Sequence, residues 1–142
     1  MTTAREIMHT GVKCVGENES LSIAARAMRD LHVGAVPICG EDGSLRGILT
    51  DRDIVVRCIA EGADPQQMRA GDLARGMPVS VDADADIGEA LRRMAENTIR
   101  RLPVLDQQQL VGIITEADIA TNLTEREVQR FAAAVYAAPP NS

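Results

Sequence analysis

Apolar and polar positions along the chain fall into helical and strand-like rhythms, and the whole succession occurs twice. Leu21, Ala24, Ala25, Met28 and Leu31 recur at helical spacing, and Ile87, Ala90, Leu91, Met94 and Ala95 do the same later. One apolar stripe of this kind predicts an amphipathic helix. Ahead of each helix, residues 12–15 and 79–81 read as short strands, with Ser20 and Asp86 as N-cap residues. Glu89, three positions after Asp86, predicts a capping box. Two β-type runs around a turn follow each helix: residues 35–39 and 45–49 about Gly40-Glu41-Asp42-Gly43, then residues 102–105 and 110–114. A further helix is predicted from Asp51 and again from Glu116.

Sliding the sequence on itself turns this likeness into a register. An offset of 66 residues up to Pro37, and of 65 beyond it, aligns Val15 with Val81, Met28 with Met94, Pro37 with Pro103, Gly47 with Gly112, Ile48 with Ile113, Thr50 with Thr115 and Asp53 with Asp118. The one-residue slip belongs in the turn at residues 40–44, where a length change disturbs no packing. The chain is read as a tandem duplication of a strand, helix, strand, strand, helix unit, an α+β class. Neither repeat of about 45 residues could bury its aliphatic faces alone, so the two are expected to pack sheet to sheet. The expected division is residues 4–60, a linker at 61–72 marked by Gly62, Pro65 and Gly71, residues 73–122, and a C-terminal helix with a frayed tail at 123–142. Thr124 and Glu127 form a capping-box pattern that opens this last helix, and Pro139 and Pro140 end it. Val128, Phe131, Ala132 and Val135 share one of its faces.

Composition changes the picture in three ways. Apolar residues make up 45% of the chain, but there is one Phe and one Tyr, so the core must be aliphatic. Both aromatics, Phe131 and Tyr136, lie on the C-terminal helix, which makes it the expected contact to a second chain. The net charge of -6 argues against a general affinity for nucleic acid or anionic membranes. Residues 1–11 carry no apolar leader, and the longest apolar run, residues 131–138, is far short of the roughly 20 residues a membrane span requires. A cytoplasmic protein is expected.

The chemistry concentrates where strand meets helix, in Gly47-Ile48-Leu49-Thr50-Asp51-Arg52-Asp53 and Gly112-Ile113-Ile114-Thr115-Glu116-Ala117-Asp118. Free N–H groups at such a junction favour anions, and a carboxylate there can accept hydrogen bonds from ribose hydroxyls. The competing reading is structural, because a Thr followed three residues later by an acid is also a helix cap.

These two motifs, each preceded by a strand with an internal Pro (Val36-Pro37-Ile38 and Leu102-Pro103-Val104), resemble the cystathionine β-synthase (CBS) domain family. The two copies together resemble the tandem Bateman module of that family over about residues 4–122. The opening Met1-Thr2-Thr3-Ala4-Arg5, the stretch Pro37-Ile38-Cys39-Gly40 and Leu49-Thr50-Asp51-Arg52-Asp53 are similar to a stand-alone mycobacterial hypoxic response type within it. The resemblance implies two β-α-β-β-α repeats in a pseudo-two-fold arrangement. It also implies an adenosyl ligand such as AMP, ADP or ATP in clefts between the repeats, a homodimer, and a role in sensing energy or stress. By position it assigns ribose to Asp53 and Asp118 and the phosphate side to Thr50 and Thr115. Residues just before the internal Pro line the cleft in the family. Here they are Gly34 and Ala35 in one copy and Arg100 and Arg101 in the other. A guanidinium pair matches phosphate oxygens in a way Gly-Ala cannot, so the Asp118 site is expected to be the better phosphate site. Alternatively, the two arginines are a solvated face paired to acids such as Glu96.

Cys14, Cys39 and Cys58 form no metal-binding spacing. The family fold places Cys14 and Cys39 in one small sheet, where they are two small buried hydrophobes, a disulfide, or zinc ligands with His9 as a further weak candidate. Cys58 is read as core, and His32 as a charge at a helix C-terminus. With His9 and His32 as the two histidines, no nucleophile and base are placed by motif, and no enzyme is expected. The main expectation is a stand-alone regulatory module with no obligatory cofactor, whose state is read by another protein. The alternative is a stress-associated interaction protein that binds no nucleotide and uses Cys14 and Cys39. A weaker one is a regulatory subunit of an enzyme or transporter encoded elsewhere.

Overall fold

The computed structural model of the chain describes residues 2–74, 76 and 78–136, leaving aside the side chains of residues 130–132 and 134–136. A short helix α1 (Ala4–Ile7) comes first. Then follow β1 (Val15–Gly16), α2 (Leu21–Leu31), β2 (Ala35–Cys39), β3 (Leu45–Thr50) and α3 (Asp51–Ile54), which runs on as a π-helical turn, Val55–Ile59. A 3-10 turn at Ala70–Leu73 leads to the second copy: β4 (Val81–Asp82), α4 (Ile87–Glu96), β5 (Arg101–Asp106), β6 (Gln109–Thr115) and α5 (Glu116–Asn122). The C-terminal α6 spans Glu125–Tyr136. The expected apolar face made with Phe131, Ala132 and Val135, the environment of Tyr136 and the stop at Pro139 and Pro140 lie outside the described residues.

Each repeat builds one three-stranded sheet, β1-β2-β3 or β4-β5-β6, the first pair parallel and the second antiparallel, so the α+β reading holds. Of the strands expected at 12–15 and 79–81, only Val15 and Val81 join the sheets, opposite Ile38 and Val104. One step earlier the partners would be Pro37 and Pro103, which have no N–H for a ladder bond. The slip between the repeats falls in the hairpin turn, as the offset predicts: Cys39 pairs with Leu45 but Leu105 with Leu110. Gln107 and Gln108, at φ 50° and 69°, form the tight turn of the second hairpin.

The segment before each repeat packs against the other repeat. The chain through Val12 joins the unit that begins at Val79, and Lys13–Pro78 forms the other. The exchange follows the 66-residue offset bond for bond. Ile87 N donates to Thr2 O at 2.9 Å and Leu21 N to Met68 O at 2.9 Å, so one orphan N–H at the start of α4 and of α2 is satisfied by the strap laid across it. Ala4 N donates to Ala85 O and Ala70 N to Glu19 O; Arg5 N donates to Ala83 O and Gly71 N to Glu17 O. Ala4 and Ile7 are buried with Val81, Ala90, Met94, Leu102 and Ile114, while Ala70 and Leu73 are buried with Leu21, Met28, Ile38, Leu49 and Cys58. The last third of the expected linker, from Arg69 on, therefore packs onto the first repeat, with Ala70 in its core. The strap over the second unit is also held by Arg5, which meets Asp106 at 2.9 Å and Asp84 at 3.5 Å. The hydrogen bond to Asp106 raises the Arg5 guanidinium above its ordinary range.

Helix ends follow the sequence with one correction. Ser20 Oγ accepts from Ile23 N at 3.2 Å, and Thr124 and Glu127 close their reciprocal box. The box expected from Asp86 and Glu89 does not form. Glu89 N already donates to the Asp86 carbonyl at 2.9 Å, and its carboxylate pairs with Arg93 at 2.9 Å. His32 is the left-handed C-cap of α2, at φ 57°. Cys58 is fully buried, as expected. Among the described residues no helix is long and apolar enough to cross a membrane.

A Cβ at Gly112 would stand 2.5 Å from Met8 Sδ and 2.8 Å from the His9 carbonyl, whereas at Gly47 it would meet Ala74 Cβ at 3.1 Å. Gly112→Ala should therefore destabilise the protein by about 1–3 kcal/mol, and more than Gly47→Ala, measured by urea unfolding. Gln108→Gly, which removes a left-handed side-chain residue, should stabilise it by about 1 kcal/mol in the same assay.

Candidate functional site

Two strand-to-helix junctions carry the residues singled out by motif, one in each unit. At the first, β3 ends on Thr50, whose Cα pairs with Ala35 across the hairpin. Thr50 Oγ1 accepts from Asp53 N at 3.0 Å, and Asp53 Oδ2 accepts from Thr50 N at 3.0 Å. The helix cap is thus fully made. It is worth about 1 kcal/mol and gives Thr and Asp at this spacing a structural reason of their own. Asp51 N donates to Gly34 O at 2.9 Å, and a Cβ at Gly34 would lie 3.2 Å from an Asp51 carboxylate oxygen. Gly34, three residues before the internal Pro, therefore lies against the Asp51 carboxylate and has no side chain to offer a ligand.

The second junction repeats the cap. Thr115 N donates to Asp118 Oδ2 at 2.8 Å, Thr115 Oγ1 donates to the same oxygen at 3.0 Å, and Asp118 N approaches Thr115 Oγ1 at 3.4 Å. It then departs from the first, because His9 Nδ1 lies 2.8 Å from Asp118 Oδ2. The strap delivers this ring: His9 and Ile113 exchange main-chain hydrogen bonds of 3.0 and 3.1 Å beside Gly112. Asp118 Oδ2 is thereby committed to the cap and to His9, and no described residue bonds Oδ1. The Asp118 side chain keeps 17% of its surface and that of His9 keeps 49%, so the pair reaches solvent.

Arg100 and Arg101 both stand at this junction. Arg101 pairs in register with Thr115 and is exposed, with no ion pair to a described residue. Arg100 Nε lies 3.4 Å from Glu116 Oε1, so its acid is Glu116, and Glu96 is not the partner. The hairpin register contains that answer, since one step beyond Arg101 and Thr115 sets Arg100 opposite Glu116. Both ends of the pair are well exposed, so the ion pair itself contributes little stability.

Cys14 and Cys39 are joined as a disulfide with Cα atoms 5.7 Å apart. Cys14 is exposed and Cys39 buried at the end of β2. His9 does not join them as a third ligand. Its ring is taken by Asp118, and among the described residues no three His, Cys, Asp or Glu side chains gather as a metal site. Sequence reasoning weighed His9 for metal and missed its place at the second Thr-x-x-Asp motif. No local signal could have found it, because 109 residues separate it from Asp118.

The described geometry can be set beside known proteins. Hypoxic response protein 1 of Mycobacterium tuberculosis is 53% identical over 135 residues, covering 95% of this chain and 94% of its own length. A crystal structure of Hypoxic Response Protein I with two coordinated zinc ions has a TM-score of 0.80 at 54% identity, covering 87% of this chain and all of that one. A crystal structure of CBSX2 in complex with AMP shares the fold, with a TM-score of 0.74 at 23% identity over 85% of this chain and 95% of its own. The CBS domain matches residues 4–59 and again 70–125, a span that includes both straps and both capped junctions, and the chain belongs to the CBS-domain family as a tandem pair.

Proposed function

We propose that the chain is a regulatory module that binds an adenosyl ligand at its Thr-x-x-Asp junctions, the one at Asp118 being the stronger. The observation that carries this reading is the Asp118 carboxylate, which has one oxygen in the helix cap and the other without a described partner, on a side chain that reaches solvent. A ribose hydroxyl can donate to that second oxygen without breaking the cap. The AMP complex of CBSX2 supports AMP as the probe, and the hypoxic response relative supports a stress context. The ligand would act by its differential affinity for two arrangements of the module. Arg101 supplies a cation beside Thr115, whereas the equivalent place at the first junction holds Ala35 and a neighbouring Asp51.

Titration calorimetry with AMP tests this. Asp118→Ala should weaken binding about tenfold or more, and more than Asp53→Ala. Equal effects would remove the asymmetry, and the absence of heat with the unaltered protein at millimolar AMP would remove the nucleotide reading. Arg101→Ala should cost about 1.5–3 kcal/mol of AMP affinity while leaving adenosine affinity unchanged, which separates a phosphate contact from a structural one.

A second reading rests on the disulfide and on the two zinc ions of the relative's crystal structure. Tetrahedral zinc takes four ligands, and the described residues offer the two thiols without a third donor, so the pair is read here as a redox link. Thiol counting on denatured, unreduced protein should give one free thiol, Cys58. Three free thiols with stoichiometric zinc in the native protein would replace the redox link by a metal site.

Self-association through helices is the remaining proposal. Val55, Val56 and Ile59 expose 57%, 42% and 54% of their surface on the π-helical turn. Val55→Asp with Ile59→Asp should shift the mass seen by light scattering to that of one chain.

A further inference from the structure

We propose that His9 and Asp118 together form a subsite for a vicinal diol, making the second junction selective for ribose over its deoxy forms. This rests on the reading that the junction takes an adenosyl ligand, and it adds a residue that the CBS motif does not contain. The argument begins with the tautomer. An ionised carboxylate only accepts hydrogen bonds, so the 2.8 Å contact to Asp118 Oδ2 places the proton on His9 Nδ1. In the neutral ring Nε2 is then an acceptor, oriented by its partner in the way a carboxylate orients a histidine elsewhere.

The junction consequently holds two acceptors on two side chains tied to each other: Asp118 Oδ1, without a described partner, and His9 Nε2. A cis-diol presents two O–H donors on adjacent carbons and can give one to each. Neither acceptor is free to wander. Asp118 Oδ2 is held by Thr115 N and Oγ1, and the His9 main chain is held by two hydrogen bonds to Ile113 over the glycine at 112. Such immobilisation lets two modest hydrogen bonds discriminate. In sequence, the 66-residue offset aligns His9 with Arg75, whose side chain offers donors and no acceptor.

A bland account makes the His9 contact a tie that fastens the strap and nothing more. His9→Asn separates the two, since the Asn amide can keep the donor to Asp118 while lacking any counterpart of Nε2. Titrations use the Asp53→Ala protein, so that the second junction dominates, with AMP, 2′-deoxy-AMP and 3′-deoxy-AMP. In that background each deoxy analogue should bind about three- to tenfold more weakly than AMP, the range expected for one neutral hydrogen bond. Adding His9→Asn should abolish the penalty for one of the two analogues, weaken AMP by the same factor and leave the melting temperature unchanged. Retention of both penalties in His9→Asn overturns the proposal while the nucleotide reading stands. Failure of AMP to bind the unaltered protein removes both. Long-range proton–nitrogen spectra of the ligand-free protein give an independent check: a neutral His9 protonated at Nε2 overturns the proposal whatever the titrations show.

Discussion

The fold depends on one close approach of main chain to main chain. A strap lies across each repeat at a glycine, Gly112 under Met8 and His9 or Gly47 under Ala74, and its carbonyls complete the first turn of that repeat's long helix. Helix N-termini leave N–H groups unsatisfied, and most proteins answer with a side chain. Here a carbonyl from a distant part of the chain shares the task with Ser20 at α2 and takes it over at α4, where Asp86 makes no side-chain cap. Each strap comes from outside its repeat and brings two core residues with it, Ala4 and Ile7 or Ala70 and Leu73. Neither repeat is complete without the segment that precedes the other. A duplicated sequence with this exchange therefore builds two cores, each drawing on a segment from outside its own repeat.

The same exchange brings chemistry to the second junction. Because the strap runs on past its glycine, residue 9 arrives at the motif carboxylate, and it happens to be a histidine. The carboxylate already has work, since Thr and Asp three apart close a reciprocal cap in both repeats. Structural and ligand readings of the motif are not rivals at the level of atoms. A carboxylate has two oxygens, and a cap occupies one. Removal of the Asp consequently costs cap stability, about 0.5–2 kcal/mol, on top of any ligand contact. Affinity losses are attributable to the ligand only when they exceed what partial unfolding of the junction can supply.

What was legible in the sequence was whatever repeats locally. The amphipathic stripes of α2 and α4, the hairpins around residues 40–44 and 106–109, the Thr115 and Thr50 starts of helices and the slip in the turn all follow from periodicity and offset. The destination of the straps was not legible. Ala4–Ile7 and Ala70–Leu73 are too short to show a period, and their partners lie across the other half of the chain. The 66-residue offset shows that the straps are equivalent but says nothing of which repeat each one covers. The Asp86 and Glu89 pattern failed for a related reason: a sequence motif names groups able to bond and cannot see that a backbone carbonyl and Arg93 reach them first.

Duplication gave the two junctions one backbone, and the residues around it have since set their charges apart. The first gathers Asp51 and Asp53 beside Gly34. The second offsets Glu116 with Arg100, sets Arg101 opposite Thr115 and adds the His9 ring to Asp118. In a chain of net charge -6, an anionic ligand meets unfavourable long-range potential wherever local cations do not counter it. Ribose recognition needs acceptors and phosphate recognition needs donors, and these demands conflict when carboxylates alone line a site. The second junction separates them, with acceptors on the helix and strap side and guanidinium groups at the start of β5. On the adenosyl reading proposed above, that separation, and not the shared motif, would set the second junction apart from the first.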